Sequence, residues 1–129
     1  MRTRIAALMV GMSLAAVVPV LAHHSFSAVF DASKKVAVTG TVTKLEWQNP
    51  HIWVYFDVKD ANGSVTPWQC ESGPPNSLVR QGWNKNSLKS GEVISVEGSR
   101  AKDGSNTCSV SSIKTADGKR LFAGQAQQP

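Results

Sequence analysis

Three short turn signals, Asn62-Gly63, Asp103-Gly104 and Asp117-Gly118, punctuate the chain, and the stretches around them alternate apolar with polar residues. Such dipeptides supply the positive φ of a tight hairpin turn, and period-two alternation gives strands with one buried side. In residues 36–42, Val36, Val38 and Val42 share a face. Leu45 and Trp47 fall on the opposite parity, which predicts a bulge near Thr43-Lys44. Gly40 within this strand predicts strong coiling or a close backbone approach. After Asn49-Pro50, Ile52, Val54, Phe56 and Val58 take one face, and Trp53, Tyr55, Asp57 and Lys59 the other. Residues 65–71 form a third strand carrying Trp68 and Cys70, with Pro67 at an edge or entry point. Residues 92–100, 107–114 and 119–122 complete the set.

Between the third and fourth strands, the segment 73–77 ends a strand and offers an N-cap for a short helix over 78–81. Five or six short strands with one helix in that place predict an all-β fold. The order matches the OB plan, a small five- to six-stranded Greek-key barrel. An immunoglobulin-like sandwich is the alternative, and it needs about seven strands. In the OB order the third strand lies beside the fifth, which would bring Cys70 next to Cys108.

The first residues bound the compartment. Met1-Arg2-Thr3-Arg4 is followed by an apolar run from Ile5 to Leu21, closing on Val20-Leu21-Ala22. A basic start, an apolar centre and small residues at −3 and −1 predict a signal peptide over 1–22, cleaved after Ala22, and therefore a periplasmic protein with no stable membrane span. Cleavage leaves about 107 residues, enough for one domain and too few for two. The expected layout is a single domain over 23–124 with an N-terminal arm at 23–35, and a flexible tail at 125–129. The two cysteines would meet oxidising conditions, which favours a Cys70–Cys108 disulfide. Without Arg2 and Arg4 the formal charge falls from +5 to about +3, with no basic run, so nucleic acid is not an expected partner.

Chemistry concentrates in the histidines. The chain has three: His23 and His24 at the processed end, and His51 after Asn49-Pro50. A free amino terminus and the imidazole of the same residue can chelate one metal, and a second imidazole completes a histidine brace. Such nitrogen-rich sets suit Cu(II), the strongest binder in the affinity order. All three methionines leave with the signal, which weakens a Cu(I) role. Asp31, Glu46 and Asp57 are further oxygen donors without a particular claim. Set against this, a terminal His pair can be merely solvated, and His51 can be a turn residue bonded to backbone.

Trp47, Trp53 and Tyr55 form a second constellation. Outward aromatics on the second strand would serve a metal-free module binding a periplasmic protein or a glycan. Alternatively Phe26 and Phe30 of the arm pack over them and tether His23 near His51. No nucleophile–base–orienter set is marked out, so the expectation is a binding protein and not an enzyme. Copper oxygenase chemistry is the minor alternative.

Several segments point to a family. They are HHSF from His23, Phe30-Asp31, GTVTKLEWQNPH from Gly40 to His51, Gly82-Trp83, LKSGE from Leu88, VEGSRAKDGS from Val96, and ADGKRLF from Ala116. Together they resemble the small exported bacterial proteins of domain-of-unknown-function family 6152. The resemblance covers essentially the whole mature chain, with NPH and RAKDGS its most specific parts. It implies a periplasmic barrel of the same strand order and implies no particular activity. Cys70 and Cys108 fall outside the shared pattern.

Overall fold

The alternating runs become strands, and the strands close on themselves. The computed structural model describes residues 25–122. In chain order the elements are α1 (Phe26–Val29), β1 (Phe30–Glu46), β2 (Trp53–Lys59), β3 (Val65–Glu71), α2 (Pro75–Arg80), β4 (Val93–Ala101), β5 (Thr107–Thr115) and β6 (Arg120–Phe122). The hydrogen-bonded order is β3-β2-β1-β4-β5-β6, and β5 pairs back to β3. The result is a closed five-stranded ring of OB-like order, with β6 added to β5 and α2 between β3 and β4. The expected signal peptide over 1–22, His23, His24 and residues 123–129 lie outside the described residues.

Closure depends on β1, which pairs with β4 along its first part and with β2 along its second. The parity switch read in the sequence is a break in register between Val42 and Lys44, where the strand turns from one neighbour to the other. Gly40 permits this coiling. A Cβ there would stand 2.5 Å from the Asp57 carbonyl oxygen and 2.8 Å from the Phe56 ring, so any side chain would push β1 off β2.

The core fills the ring. Val42, Ile52, Val54, Phe56, Ile94, Val96, Val110 and Ile113 are buried, joined from the connections by Leu78, Trp83 and Leu88. Burying each large apolar side chain contributes about 1.5–3 kcal/mol. The seam that closes the ring is the shortest of the ring's own ladders, three parallel pairs: Gln69 with Thr107, Cys70 with Cys108, and Glu71 with Ser109. The Cys70–Cys108 disulfide forms at its centre, and both cysteines are fully buried. A covalent bond thus sits where the hydrogen-bonded closure is weakest.

Local details differ from expectation in three places. The helix before β4 starts earlier than 78, at Pro75, with Pro74 in the N-cap position and no side-chain cap. Proline at the first helical position has a pre-set φ and no N–H to leave unsatisfied, so the prolines themselves start the helix. The segment read as an arm already belongs to β1 from Phe30 onward. Phe30 is buried and pairs with Ala101, and the register is irregular until Lys35 meets Ser99. Finally, α1 forms a single unforeseen turn, and its Phe26 ring packs on Phe30 at 5.6 Å. Among the described residues the ring pairs are Phe26–Phe30 and Phe56–Trp68, with no aromatic pair between the arm and Trp53 or Tyr55, and Phe30 turns to Ala101 of β4 instead.

Candidate functional site

Cross-strand partners in a sheet point to the same side. The register therefore groups the outward residues of β1, β2, β3 and β5 into two rows. One row runs Glu46, Trp53, Glu71 and Ser109, and the next runs Lys44, Tyr55, Gln69 and Thr107. Beneath them lie the inward Val54, Phe56 and Cys70, buried throughout. Trp53 and Tyr55 face outward as their parity requires, each half-buried. Trp47 does not join them; it packs against the hydrophobic core.

His51 stands just beyond the first row, two residues before Trp53 on the same face, and its backbone setting explains why it is held there. The β2–β3 ladder continues past Trp53, since the Ile52 N–H donates to the Gly73 carbonyl at 3.1 Å and the Ser72 N–H to the Ile52 carbonyl at 2.7 Å. The Ile52 side chain is fully buried, so the residue before it emerges from a fixed point. The Asn49–Pro50 peptide bond just upstream is cis. From this corner the His51 Nδ1 meets the Glu71 carboxylate Oε1. Their side chains are 27% and 15% exposed. No partner is placed on the opposite nitrogen, Nε2, among the described residues.

Glu71 escaped the sequence reading, although a signal for it existed. The tight turn at Asn62-Gly63 pairs Lys59 with Val65, and counting back pairs Trp53 with Glu71. His51 is two residues before Trp53 on the same face, which makes it the diagonal neighbour of Glu71, within reach of long side chains.

The other charged groups of the face are engaged. The Lys44 ammonium donates to Glu46 Oε2 at 2.9 Å and sits 5.4 Å from the centre of the Tyr55 ring. Gln48 also donates to Glu46. The hydrogen bond from Lys44 holds the Glu46 carboxyl below its usual range, and the same bond raises the Lys44 ammonium. Burial, and then the charge of Glu46, push the Tyr55 phenol up. Asp31 is committed to a local turn with Ser33. No group of three His, Cys, Asp or Glu side chains able to hold a metal is found among the described residues. His51 and Glu71 therefore make two thirds of such a group at most, and His23 and His24 are the sequence's remaining imidazoles.

At the other end of the face lies a cleft of about 330 Å³, lined by Tyr55, Pro67, Trp68, Gln69, Asn106 and Thr107. Trp68 has the inward parity of its partner Phe56 and packs against the edge of the core. Its ring stacks on Phe56 at 6.4 Å, and the Arg100 guanidinium lies 5.5 Å from its centre. Arg100 is itself fixed by the β4–β5 connection, donating to the carbonyls of Gly104 and Ser105 and to Asn106 Oδ1 at 2.9–3.1 Å. Among the described residues no helix is long and apolar enough to cross a membrane.

A search of curated proteins gives no match. Among solved structures the chain is similar to the crystal structure of yeast Stn1 and Ten1, at 14% identity and a TM-score of 0.43, over 64% of this chain and 42% of that one. The present chain thus spans about two fifths of that protein's length. A family model described as a family of unknown function (DUF6152) matches residues 11–110, and the chain belongs to that family.

Proposed function

We propose that the protein is an exported small binding module that takes Cu(II) through His51 together with the processed end at His23 and His24. The observation that carries this reading is the His51–Glu71 contact at a rigid corner. Metal-ligating histidines nearly always give their second ring nitrogen to a carboxylate, a carbonyl or water, which orients the ring and raises its basicity. His51 has that partner, and its Nε2 has none among the described residues. The amine of His23 and the imidazoles of His23 and His24 would supply the nitrogen donors that the described residues lack, a set suited to Cu(II).

Calorimetric titration of Cu(II) into protein beginning at His23 tests the reading, with His51→Ala measured alongside. The expected result is an affinity weakened about tenfold or more in the variant, the scale on which even outer partners of a metal site act. A residue added before His23 should weaken binding comparably by converting the amine to an amide. Equal affinity in His51→Ala and the parent would reduce the binding to terminal-peptide chemistry and overturn the reading.

A second reading, a metal-free module for a protein or glycan, is favoured by the cleft that shares this face. Its weakness is that Lys44 lies over the Tyr55 ring and Arg100 over the Trp68 ring, where a stacked sugar would sit. It requires Trp53→Ala to abolish capture of a partner while copper makes no difference to that capture.

A further inference from the structure

We infer that Glu71 is a positioning residue of the copper site: its carboxylate fixes the neutral His51 ring with the proton on Nδ1, so that Nε2 is the nitrogen offered to the metal. The inference rests on the Cu(II) reading above and adds to it a residue, a tautomer and a ligating atom.

A carboxylate only accepts hydrogen bonds, whereas the two nitrogens of a neutral imidazole divide the roles of donor and acceptor between them. Nδ1 facing Glu71 Oε1 is therefore the N–H, and the lone pair lies on Nε2, on the far side of the ring. The arrangement is stiff because both partners are built into the barrel. The Glu71 backbone pairs with Trp53 on one side and with Ser109 on the other. Its neighbour Cys70 is covalently tied to Cys108. His51 precedes the fully buried Ile52. Competition for the role is absent on this row, since Glu46 is already held by Lys44 and Gln48.

The carboxylate also bears on which metals would suit. A histidine whose second nitrogen gives its proton to a carboxylate becomes a more basic donor. Imidazole donors suit Cu(II), Ni(II) and Zn(II), and of these Cu(II) stands highest in affinity. Glu71 is occupied in orienting the ring, so it adds its effect through His51 and not as a ligand of its own.

Two measurements test this separately from the copper reading. In metal-free protein, long-range ¹H–¹⁵N correlation of the His51 ring should show the proton on Nδ1. Glu71→Ala should lose that preference and Glu71→Gln, whose amide oxygen accepts the same bond, should restore it. A parent ring protonated on Nε2 would overturn the inference whatever copper does. In Cu(II) titrations Glu71→Ala should weaken binding about 10–100-fold, Glu71→Gln should recover most of the loss, and Glu71→Ala should add nothing when His51 is already Ala. Parent-like affinity in Glu71→Ala, with His51→Ala impaired, would remove Glu71 from the site and leave the copper reading standing. Parent-like affinity in His51→Ala would overturn both, and the ring spectrum would then report only the orientation of a turn residue.

Discussion

Two stretches of β3 solve the same structural problem differently: Glu71 lies on the outward face, whereas Trp68, the cross-strand partner of the inward Phe56, packs against the edge of the core. At one end an imidazole is steadied by Glu71; at the other an indole is steadied by Arg100. The Arg100 group is tied to its own loop. Its Nε and Nη2 donate to Gly104, Ser105 and Asn106, and Trp68 is in contact with both Phe56 and the guanidinium. The His51 pair is open, with one ring nitrogen used and the second without a partner among the described residues. A polar group whose bonds all run to the loop beside it points to structure, and an imidazole oriented by a carboxylate on a rigid support, with its second nitrogen left over, has the arrangement of a metal ligand. On that ground the corner, and not the cleft, is where binding chemistry is expected.

The disulfide lies between the two ends, so breaking it tests both at once. Replacing Cys70 and Cys108 by Ser should give the largest loss. For a loop of about 38 residues the chain-entropy model sets an upper value of about 4 kcal/mol, or a fall in Tm on the order of 15–20 °C for a domain of this size. Thermal unfolding with and without reductant checks it. A variant as stable as the parent would mean that the three-pair seam closes the ring unaided. The comparison is sharpened by the ring signal of His51 in the same variant, because loss of its Nδ1 proton signature would show that the seam also steadies Glu71.

Arg100→Ala should act on one end only. Losing three hydrogen bonds and the contact with Trp68 should cost about 1–3 kcal/mol, on the scale of about 0.5–1.5 kcal/mol per bond with partial re-solvation of the exposed acceptors. Denaturant unfolding measures the loss, and Cu(II) titration should be indifferent to it. Copper binding impaired as strongly as in His51→Ala would mean that the two ends are one site.

Most of this frame is legible in the sequence, and the reasons are local. The bulge between Val42 and Lys44 follows from a parity switch between Val42 and Leu45. The close approach at Gly40 follows from a glycine inside an alternating strand. The disulfide is suggested by topology, since a third strand beside the fifth brings the two cysteines into the same seam, and the register sets Cys70 opposite Cys108. What could not be read were side-chain partnerships made across strands. Glu71 looked like the polar end of a strand, and only register makes it the neighbour of His51. Arg100, in a segment quoted for its family pattern, gave no sign that it would lie over Trp68. The arm is read only in part for a related reason: Phe26 and Phe30 are apolar enough to pack anywhere, and it is register that sets Phe30 opposite Ala101 of β4.

The smallest expected effect separates the Arg100 end into its parts. The β4–β5 connection is held by Arg100 from one side and by Asp103 from within, whose Oδ1 accepts the Ser105 N–H at 2.9 Å. Hydrogen bonds from the Ser105 hydroxyl and N–H, with a lesser contribution from the Arg100 charge, keep the Asp103 carboxyl below its ordinary value, which is about 3.9 in an unfolded chain. In the window below that value the unfolded chain binds more protons than the folded one, so stability falls as pH falls. The contribution is fully present above about pH 5 and is lost as pH drops through the lowered folded value. Asp103→Asn keeps an acceptor in the same place without the titration. The parent should therefore exceed the variant in stability at pH 7, and the gap should close toward pH 2–3, as read by urea unfolding at both ends. Asp31 and Asp117 are lowered by similar turns with Ser33 and Thr115, so only the difference between parent and variant isolates Asp103. A gap that stays constant with pH would assign the stability of this connection to Arg100 alone, leaving that end held from one side.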